Sequence, residues 1–446
     1  MGIFDALTTA VAGLQAQSFA LQNISGNIAN SQTVGYKETD TSFQALVSQA
    51  AEGEQTAGGV YASSVASNTV QGTINSTSVS TDMAIDGNGW FVVAQAAGSS
   101  GTTTQFSTVN DYTRRGDFQL NSSGYLVNGA GYYLMGTPIN PATGAAESSV
   151  PEVLQFNNNF LPAQATSQID YEANLPSTPT AGLLVPADYT VNPLIAGTGT
   201  VVGNDASTFT QQSTDGGSIT AYDAEGNAVN VQFRWAETAS SGGNNTWQLF
   251  YQTNSNATGT QVAWQNTGTA FTFNSSGQLT SPTSPTVNLT GLAVNGDTVG
   301  NVALNFGVGG LTQFASSTGS VQVNSLSQNG STAGQLQSLS VDTQGQITGS
   351  FSNGQTVALA DITLATFNGQ NSLEPLDGEA YAATPESGDP IYGATGTIVG
   401  SSLESSNVDI STQFSNLIVA QQAYSANARV MSTADQMIQS LLQVIQ

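Results

Sequence analysis

The chain has 446 residues, of which 5 are Lys or Arg and 30 are Asp or Glu, so its formal charge at pH 7 is −25. At about 150 residues per domain, this length predicts more than one domain. The chain contains no His and no Cys, which excludes His and Cys catalysis, thiolate or imidazole metal sites and disulfides. The scarcity of cations excludes a basic nucleic-acid footprint. Carboxylate-only chemistry, as in a glycosidase, is the one enzyme class that this composition permits. We expect a protein that is not an enzyme and binds no cofactor, metal or nucleic acid.

The first segment lacks the features of a cleaved secretory signal peptide. It carries Asp5, and its first cation is Lys37, whereas a signal peptide begins with a positively charged stretch. No run of about 18 apolar residues occurs in the chain, so we expect no membrane insertion. If the protein leaves the cell, we expect export without signal-peptide cleavage.

The N-terminal residues 3–28 are predicted to form a helix because apolar residues recur every seven positions. The most regular row consists of Leu7, Leu14, Leu21 and Ile28. A neighbouring row contains Ile3, Ala10 and Ile24, and Gln17 interrupts it. We expect the helix to end near Asn30.

The middle of the chain is predicted to be β-structure, because short stretches alternate between apolar and polar residues. A recurrent turn separates them, in which Asn or Asp is followed three residues later by Gly. It occurs at residues 121–124, 223–226, 274–277 and 342–345. The Asx side chain caps its own backbone and Gly supplies a positive φ, so we expect hairpin turns.

Arg114 and Arg115 are adjacent cations in a chain that has few. A pair of this kind can bind phosphate, or it can form ion pairs within the fold. The nearby Asp117 favours ion pairs within the fold, with Asp117 or with another carboxylate.

The C-terminal segment has the strongest helical pattern in the chain, with three apolar rows. The first row is Ile410, Leu417, Tyr424, Met431, Ile438 and Ile445. The second is Ala423, Val430, Met437 and Val444, and the third is Ala420, Ala434 and Leu441, with Asn427 as its polar interruption. Such a face is wider than one partner helix can cover.

The two terminal segments share an unusually low charge. Residues 1–36 contain only Asp5, and residues 411–446 contain only Arg429 and Asp435. One interpretation is an antiparallel hairpin that closes a monomer. The other is a pair of helices that pack against further copies of the chain on several sides, where unpaired charges would be costly to bury.

Composition along the chain predicts a mainly β protein with α-helical termini and two nested β-rich domains. Residues 1–70 and 396–446 would form a terminal two-helix, coiled-coil-like domain with its connecting segment. Residues 71–168 and 327–395 would form a discontinuous inner β-domain, and residues 169–326 an inserted outer β-domain.

Both ends of the chain resemble the bacterial flagellar rod and hook proteins, a family of axial proteins. The likeness rests on residues 23–30 and 33–37 near the N-terminus and on residues 406–410 and 420–429 near the C-terminus. The signature residues are Asn27, Ala29, Asn30, Gly35, Tyr36, Asn407, Val408, Asp409, Gln421, Ala426 and Asn427.

The large middle region resembles that of hook subunits more than that of rod subunits, because rod subunits are shorter. The resemblance therefore implies a structural subunit that self-assembles into a curved, flexible extracellular tube, which links rod to filament and transmits motor torque. It implies homopolymer contacts, rod, hook-cap and hook-filament junction proteins as partners, and passage through the flagellar export apparatus. A distal rod or other axial subunit is the alternative, and a secreted β-rich adhesin is a more distant one.

Overall fold

The structure is a computed structural model in which the chain folds into two compact units. The described residues are 3–45, 59–100, 103–141, 143–156, 160–195, 199–241, 244–393 and 396–445. Unit 1 comprises Met1–Asn159, Leu336–Ser350 and Thr356–Gln446, and unit 2 comprises Phe160–Gln335 and Phe351–Gln355. The fold is mainly β with a long helix at each end, which confirms the predicted fold class. The finer boundaries of the helical, inner and outer domains stay a prediction.

Three α-helices lie in the described residues: α1 (Ile3–Ala29), α2 (Ala206–Gln211) and α3 (Ile410–Ile445). Helices α1 and α3 pack against each other. Asn27 contacts Gln413, and Gly13 lies beside Asn427, so the two helices run antiparallel. None of the described helices is both long and apolar enough to cross a membrane.

The first part of unit 1 contributes twelve described strands. They are β1 (Thr39–Ala45), β2 (Val60–Ala66), β3 (Ile74–Ser76), β4 (Met83–Asp86), β5 (Trp90–Ala94), β6 (Ala96–Ser100), β7 (Thr103–Phe106), β8 (Asp111–Thr113), β9 (Gln119–Leu120), β10 (Leu126–Val127), β11 (Tyr133–Pro138) and β12 (Glu152–Val153). Strands β1 and β2 form an antiparallel pair that also contacts α1.

Unit 2 contains the next twelve described strands. They are β13 (Phe160–Leu161), β14 (Gln168–Pro176), β15 (Thr200–Val202), β16 (Thr214–Tyr222), β17 (Ala228–Ser241), β18 (Asn244–Gln252), β19 (Val262–Phe273), β20 (Leu279–Ser281), β21 (Thr286–Val294), β22 (Asp297–Asn305), β23 (Leu311–Phe314) and β24 (Gln322–Gln328). One sheet has the order β21-β22-β14-β23 with β24 also paired to β14, and the other has the order β15-β19-β18-β17-β16.

The remaining described strands lead back to α3. They are β25 (Gly334–Val341), β26 (Gln346–Phe351), β27 (Thr356–Ile362), β28 (Leu364–Thr366), β29 (Glu374–Pro375), β30 (Ala380–Ala382), β31 (Ile391–Tyr392), β32 (Thr397–Gly400) and β33 (Ser402–Glu404). Strand β32 pairs with β4, and β33 pairs with β3. The chain thus returns to the strands that follow α1 before α3 begins.

The core of unit 1 surrounds β5, which is buried along its whole length. Phe91 and Val93 point into one apolar cluster, whereas Trp90 and Val92 point into another. This division follows from the period of two in a strand. The continuous apolar run at 90–94 is therefore explained by burial on both faces.

The core of unit 2 is aromatic. Tyr171, Trp235 and Phe271 are buried there with Phe306, and several of these rings meet edge to face. The Tyr171 hydroxyl donates to the Gly216 carbonyl at 2.6 Å and accepts from Trp235 Nε1 at 2.9 Å. A buried polar pair is tolerated because its hydrogen bonds are made.

All four predicted Asx turns are present. In each turn the Asx side-chain oxygen accepts two backbone N–H groups, and the Gly three residues later has a φ between +74° and +85°. The sequence prediction of these turns is confirmed.

Candidate assembly site in the terminal helices

The contact between α1 and α3 consists mainly of small side chains. The buried apolar residues on the two helices are Ala10, Ala16, Ala20, Ile24, Ala420 and Ala434. A Cβ atom added to Gly13 would lie 2.8 Å from the side-chain nitrogen of Asn427. Small residues at these positions let the two helices approach closely.

The most regular heptad rows lie beside this contact and are not its centre. Leu7, Leu14, Leu21 and Ile28 of α1, and Leu417 and Ile438 of α3, are half-buried. Tyr424 and Met431 are exposed, and the side chain of Ile445 lies outside the described part of the structure. The neighbouring predicted rows supply four of the buried residues, Ala10, Ile24, Ala420 and Ala434. The sequence analysis missed Gly13, Ala16 and Ala20, which were visible as small residues at spacings of three and four.

Helix α3 keeps two further groups of apolar residues exposed. We call Ile410, Phe414 and Ile418 the first flank, and Val419, Val430 and Met437 the second flank. These six side chains are between 43% and 64% exposed. A helix that is already packed on one side thus presents unpartnered apolar surface on others, which in soluble proteins marks an interaction surface.

Asn27 fixes the end of α1 to the next segment and to α3. Its side-chain amide donates to the Thr39 carbonyl at 3.0 Å and to Gln413 at 3.4 Å. Its side-chain oxygen accepts from the Thr39 N–H and from the Tyr36 hydroxyl. All the hydrogen-bonding groups of this buried side chain are used, which explains an Asn at an otherwise apolar seam.

A buried ion-pair cluster lies between the terminal helices and the strands of unit 1. We call Lys37, Arg114 and Glu404 the Glu404 cluster. One Glu404 oxygen accepts from Lys37 Nζ at 2.6 Å and from the Gly72 N–H at 2.9 Å, and the other accepts from Arg114 at 3.3 Å. The side chains of Lys37 and Glu404 are 1% and 0% exposed.

The two cations also donate to backbone carbonyls, although the Nε of Arg114 is buried without a hydrogen-bond partner. Lys37 donates to the Val70 carbonyl at 2.7 Å, and Arg114 donates to the carbonyls of Ile85 and Gly87. The Arg114 guanidinium lies over the Trp90 ring, 5.4 Å from its centroid, where the ring face stabilises a cation. Burial lowers the pKa values of Lys37 and Arg114, while Glu404 opposes both shifts. Both cations remain charged because the carboxylate is in contact with them.

Three segments of the chain meet at this cluster. They are residues 35–38 between α1 and β1, residues 67–72 between β2 and β3, and residues 402–407, which comprise β33 and the residues that follow it before α3. The Gly35 N–H donates to the Glu404 carbonyl, and a Cβ at Gly35 would lie 2.7 Å from the backbone nitrogen of Arg115. With a φ of +72° as well, this position accepts Gly and disfavours any other residue.

Three more of the signature residues make hydrogen bonds in this region. The Asn407 side chain accepts from the Glu38 N–H at 2.7 Å and donates to Ser67. Asp409 accepts from two backbone N–H groups at the start of α3, as an N-cap residue does. Asn30 donates to the carbonyl of Gly26. Val408 is half-buried, whereas Ala29, Gln421 and Ala426 are exposed.

The adjacent arginines are explained by contacts within the fold. Arg114 pairs with Glu404, and Arg115 pairs with Asp117 at 2.8 Å and with Glu379 at 2.9 Å. The preferred interpretation, ion pairing with carboxylates of the same chain, is confirmed. Within the described residues, acidic side chains form no cluster that could hold a metal ion.

Comparisons with known proteins place three parts of the chain in flagellar axial families. Residues 84–202 match the flagellar hook protein FlgE/F/G D1 domain, and residues 203–331 match the flagellar basal body protein FlaE D2 domain. Residues 399–444 match the flagellar basal body rod FlgEFG protein C-terminal family. The chain is therefore a flagellar axial protein.

Relatives that match over nearly their whole length specify which axial protein. The chain is 30% identical to the flagellar hook protein FlgE of Escherichia coli strain K12, over 98% of this chain and 99% of that protein. It is 29% identical to the flagellar hook protein FlgE of Brucella suis biovar 1, with 99% of both chains covered. The crystal structure of Helicobacter pylori flagellar hook protein FlgE2 shares the fold, with a TM-score of 0.50 at 15% identity over 74% of this chain and 100% of that chain. The chain belongs to the flagellar hook protein family and is a structural subunit of the hook.

Proposed function

We propose that this chain assembles into the hook through its terminal helices, with the predicted heptad rows and the exposed flanks of α3 in contact with neighbouring copies. The observation that carries this proposal is the first and second flanks, which stay exposed although α3 is already packed on α1. Burying apolar surface contributes roughly 25 cal/mol per Å², so these surfaces favour association.

The assembled polymer is, in this proposal, a curved and flexible extracellular tube that joins rod to filament and transmits motor torque. Rod, hook-cap and hook-filament junction proteins would contact its ends. Membership of the hook protein family supports these roles. A distal rod subunit is less consistent with relatives named as hook proteins that cover the whole chain.

We also infer that the chain passes through the flagellar export apparatus without cleavage of a signal peptide. The family membership supports this route, and the uncharged N-terminal stretch apart from Asp5 is unlike a secretory signal. Mass spectrometry of the protein from purified hooks tests it. We expect a chain that begins at Met1 or Gly2, and a terminus some 20 residues further on would contradict it.

A single substitution on α3 tests the assembly proposal. Val430→Asp places a carboxylate on the second flank, which is exposed in the single subunit and buried in the proposed polymer. Burying an unpaired charge costs several kcal/mol, so we expect no tubes by electron microscopy and an unchanged monomer melting temperature.

The matched control is the same substitution at Val308, a fully exposed turn residue of unit 2. Val308→Asp should leave tube formation intact. Normal polymerisation of Val430→Asp would contradict the role proposed for α3.

A further inference from the structure

The first and second flanks lie on opposite sides of α3. Relative to Ala420, which faces α1, Phe414 lies about 120° to one side and Val419 about 100° to the other, at 3.6 residues per turn. Both residues are more than half exposed. One helix therefore carries two different exposed apolar surfaces.

Val419 of the second flank lines a groove, and no residue of the first flank does. The groove has a volume of about 280 Å³ and is formed by α1, β1 and α3. Its lining includes Ala20, Asn23, Phe43, Gln413, Val419 and Ala423. Phe43 and Val419 are exposed at its edge, so an apolar partner that entered the groove would cover both.

We propose that the first flank of one copy seats in this groove of the next copy. This inference rests on the proposed function and adds which two surfaces of the helices meet. A contact between two different surfaces of identical chains does not close on itself in pairs, and repeated it generates a ring or a helical array. A contact between two identical surfaces would instead produce a closed dimer, which cannot build a tube.

The charges on both surfaces permit this contact in a subunit of charge −25. No residue between 410 and 428 is charged. Asp40 is the single charged residue among the described residues that line the groove. Two strongly acidic copies can thus meet here without bringing like charges together, which would cost free energy in a buried contact.

Cysteine cross-linking tests the pairing directly, because the natural chain has no Cys. Phe414→Cys and Val419→Cys variants would be purified separately, mixed, polymerised and treated with a mild oxidant. A disulfide requires Cα atoms within about 7 Å. We expect a disulfide-linked dimer on a denaturing gel from the mixed tubes and none from tubes of either variant alone.

The matched control mixes Val419→Cys with Val430→Cys, two positions on the same flank, and should give no dimer. A second pair, Ile418→Cys with Ala423→Cys, repeats the test if the bulk removed at Phe414 prevents tube formation. Tubes in which neither pair of a first-flank residue with a groove residue cross-links, or in which the same-flank pair cross-links equally, would overturn this inference and leave the proposed function intact. Failure of the unmodified chain to form tubes would instead contradict the proposed function.

Discussion

Replacing Glu404 with Gln removes the only anion of the Glu404 cluster while keeping the size of the side chain. In the native structure this carboxylate contacts Lys37 at 2.6 Å and Arg114 at 3.3 Å, with all three side chains at most 3% exposed. The variant would leave two buried cations without a counter-charge. Breaking a buried ion pair by removing one partner costs about 3–5 kcal/mol.

This free energy converts to a melting shift that is easily measured. For a unit of this size, 1 kcal/mol corresponds to about 2–4 °C, so the expected loss is on the order of 10 °C. Differential scanning calorimetry of the monomer measures the shift. Hydrogen exchange should rise at residues 67–72, because the Gly72 N–H then donates to a neutral amide oxygen, a weaker acceptor than the carboxylate.

Two further variants locate the effect. Asp117→Asn breaks a more accessible ion pair, in which both side chains are about one-fifth exposed, and should cost roughly 1 kcal/mol or less. Lys37→Met combined with Glu404→Gln should recover part of the loss, because only Arg114 then remains buried, with its carbonyl partners. If Glu404→Gln melted within about 2 °C of the unmodified protein, the Glu404 cluster would not stabilise unit 1 as argued from these contacts.

The remaining predictions concern pH, helix contact and salt. Burial, followed by the charge of Asp40, raises the pKa of Glu38 above its ordinary 4.5. Ionised Glu38 therefore opposes folding at pH 7, and this opposition fades as the pH falls through the raised pKa. Glu38→Gln should raise the melting temperature at pH 7 and lose that advantage by about pH 4, whereas a benefit that did not change with pH would contradict this prediction. Gly13→Ala should stabilise the protein by up to about 1 kcal/mol through helix propensity, but only in a double variant in which Asn427→Ala removes the side chain that the new Cβ would meet. If the effects of the two substitutions on the melting temperature were additive, the contact between these two positions would be refuted. Polymerisation, monitored by light scattering, should be faster in sulfate than at low ionic strength, because salt screens the charge of −25 and sulfate strengthens apolar burial. Faster assembly at low salt would contradict this prediction.

The local patterns of the sequence were sufficient for the two terminal helices and the Asx turns, but they did not predict α2 at Ala206–Gln211. The segment expected at 3–28 forms α1 at Ile3–Ala29, because a heptad repeat and a turn at Gly35 act over neighbouring residues. The Glu404 cluster could not be predicted in this way. Lys37 and Glu404 are separated by 367 positions and Arg114 and Glu404 by 290, and no local period relates them.

The contact between the terminal helices shows the same limit in another form. Leu7 and Leu14 belong to the most regular row and are half-buried, whereas Ala16, which belongs to no predicted row, is buried. Hydrophobicity ranks leucine above alanine, but the closeness of two helix axes is decided by the smallest residues between them. That distance depends on the partner helix, more than 380 residues away along the chain.

The convergence of three chain segments on Glu404 has a mechanical consequence. If only one segment joined the helices to the strands of unit 1, the helices could rotate about that segment relative to the strands. Here, any rotation must stretch the segments at 35–38, 67–72 and 402–407 together and break the ion pairs of Lys37 and Arg114. This part of the subunit is therefore expected to behave as a stiff lever that passes a twisting load to α1 and α3 without yielding. The elasticity of the tube would then reside in contacts that can slip from one copy to the next.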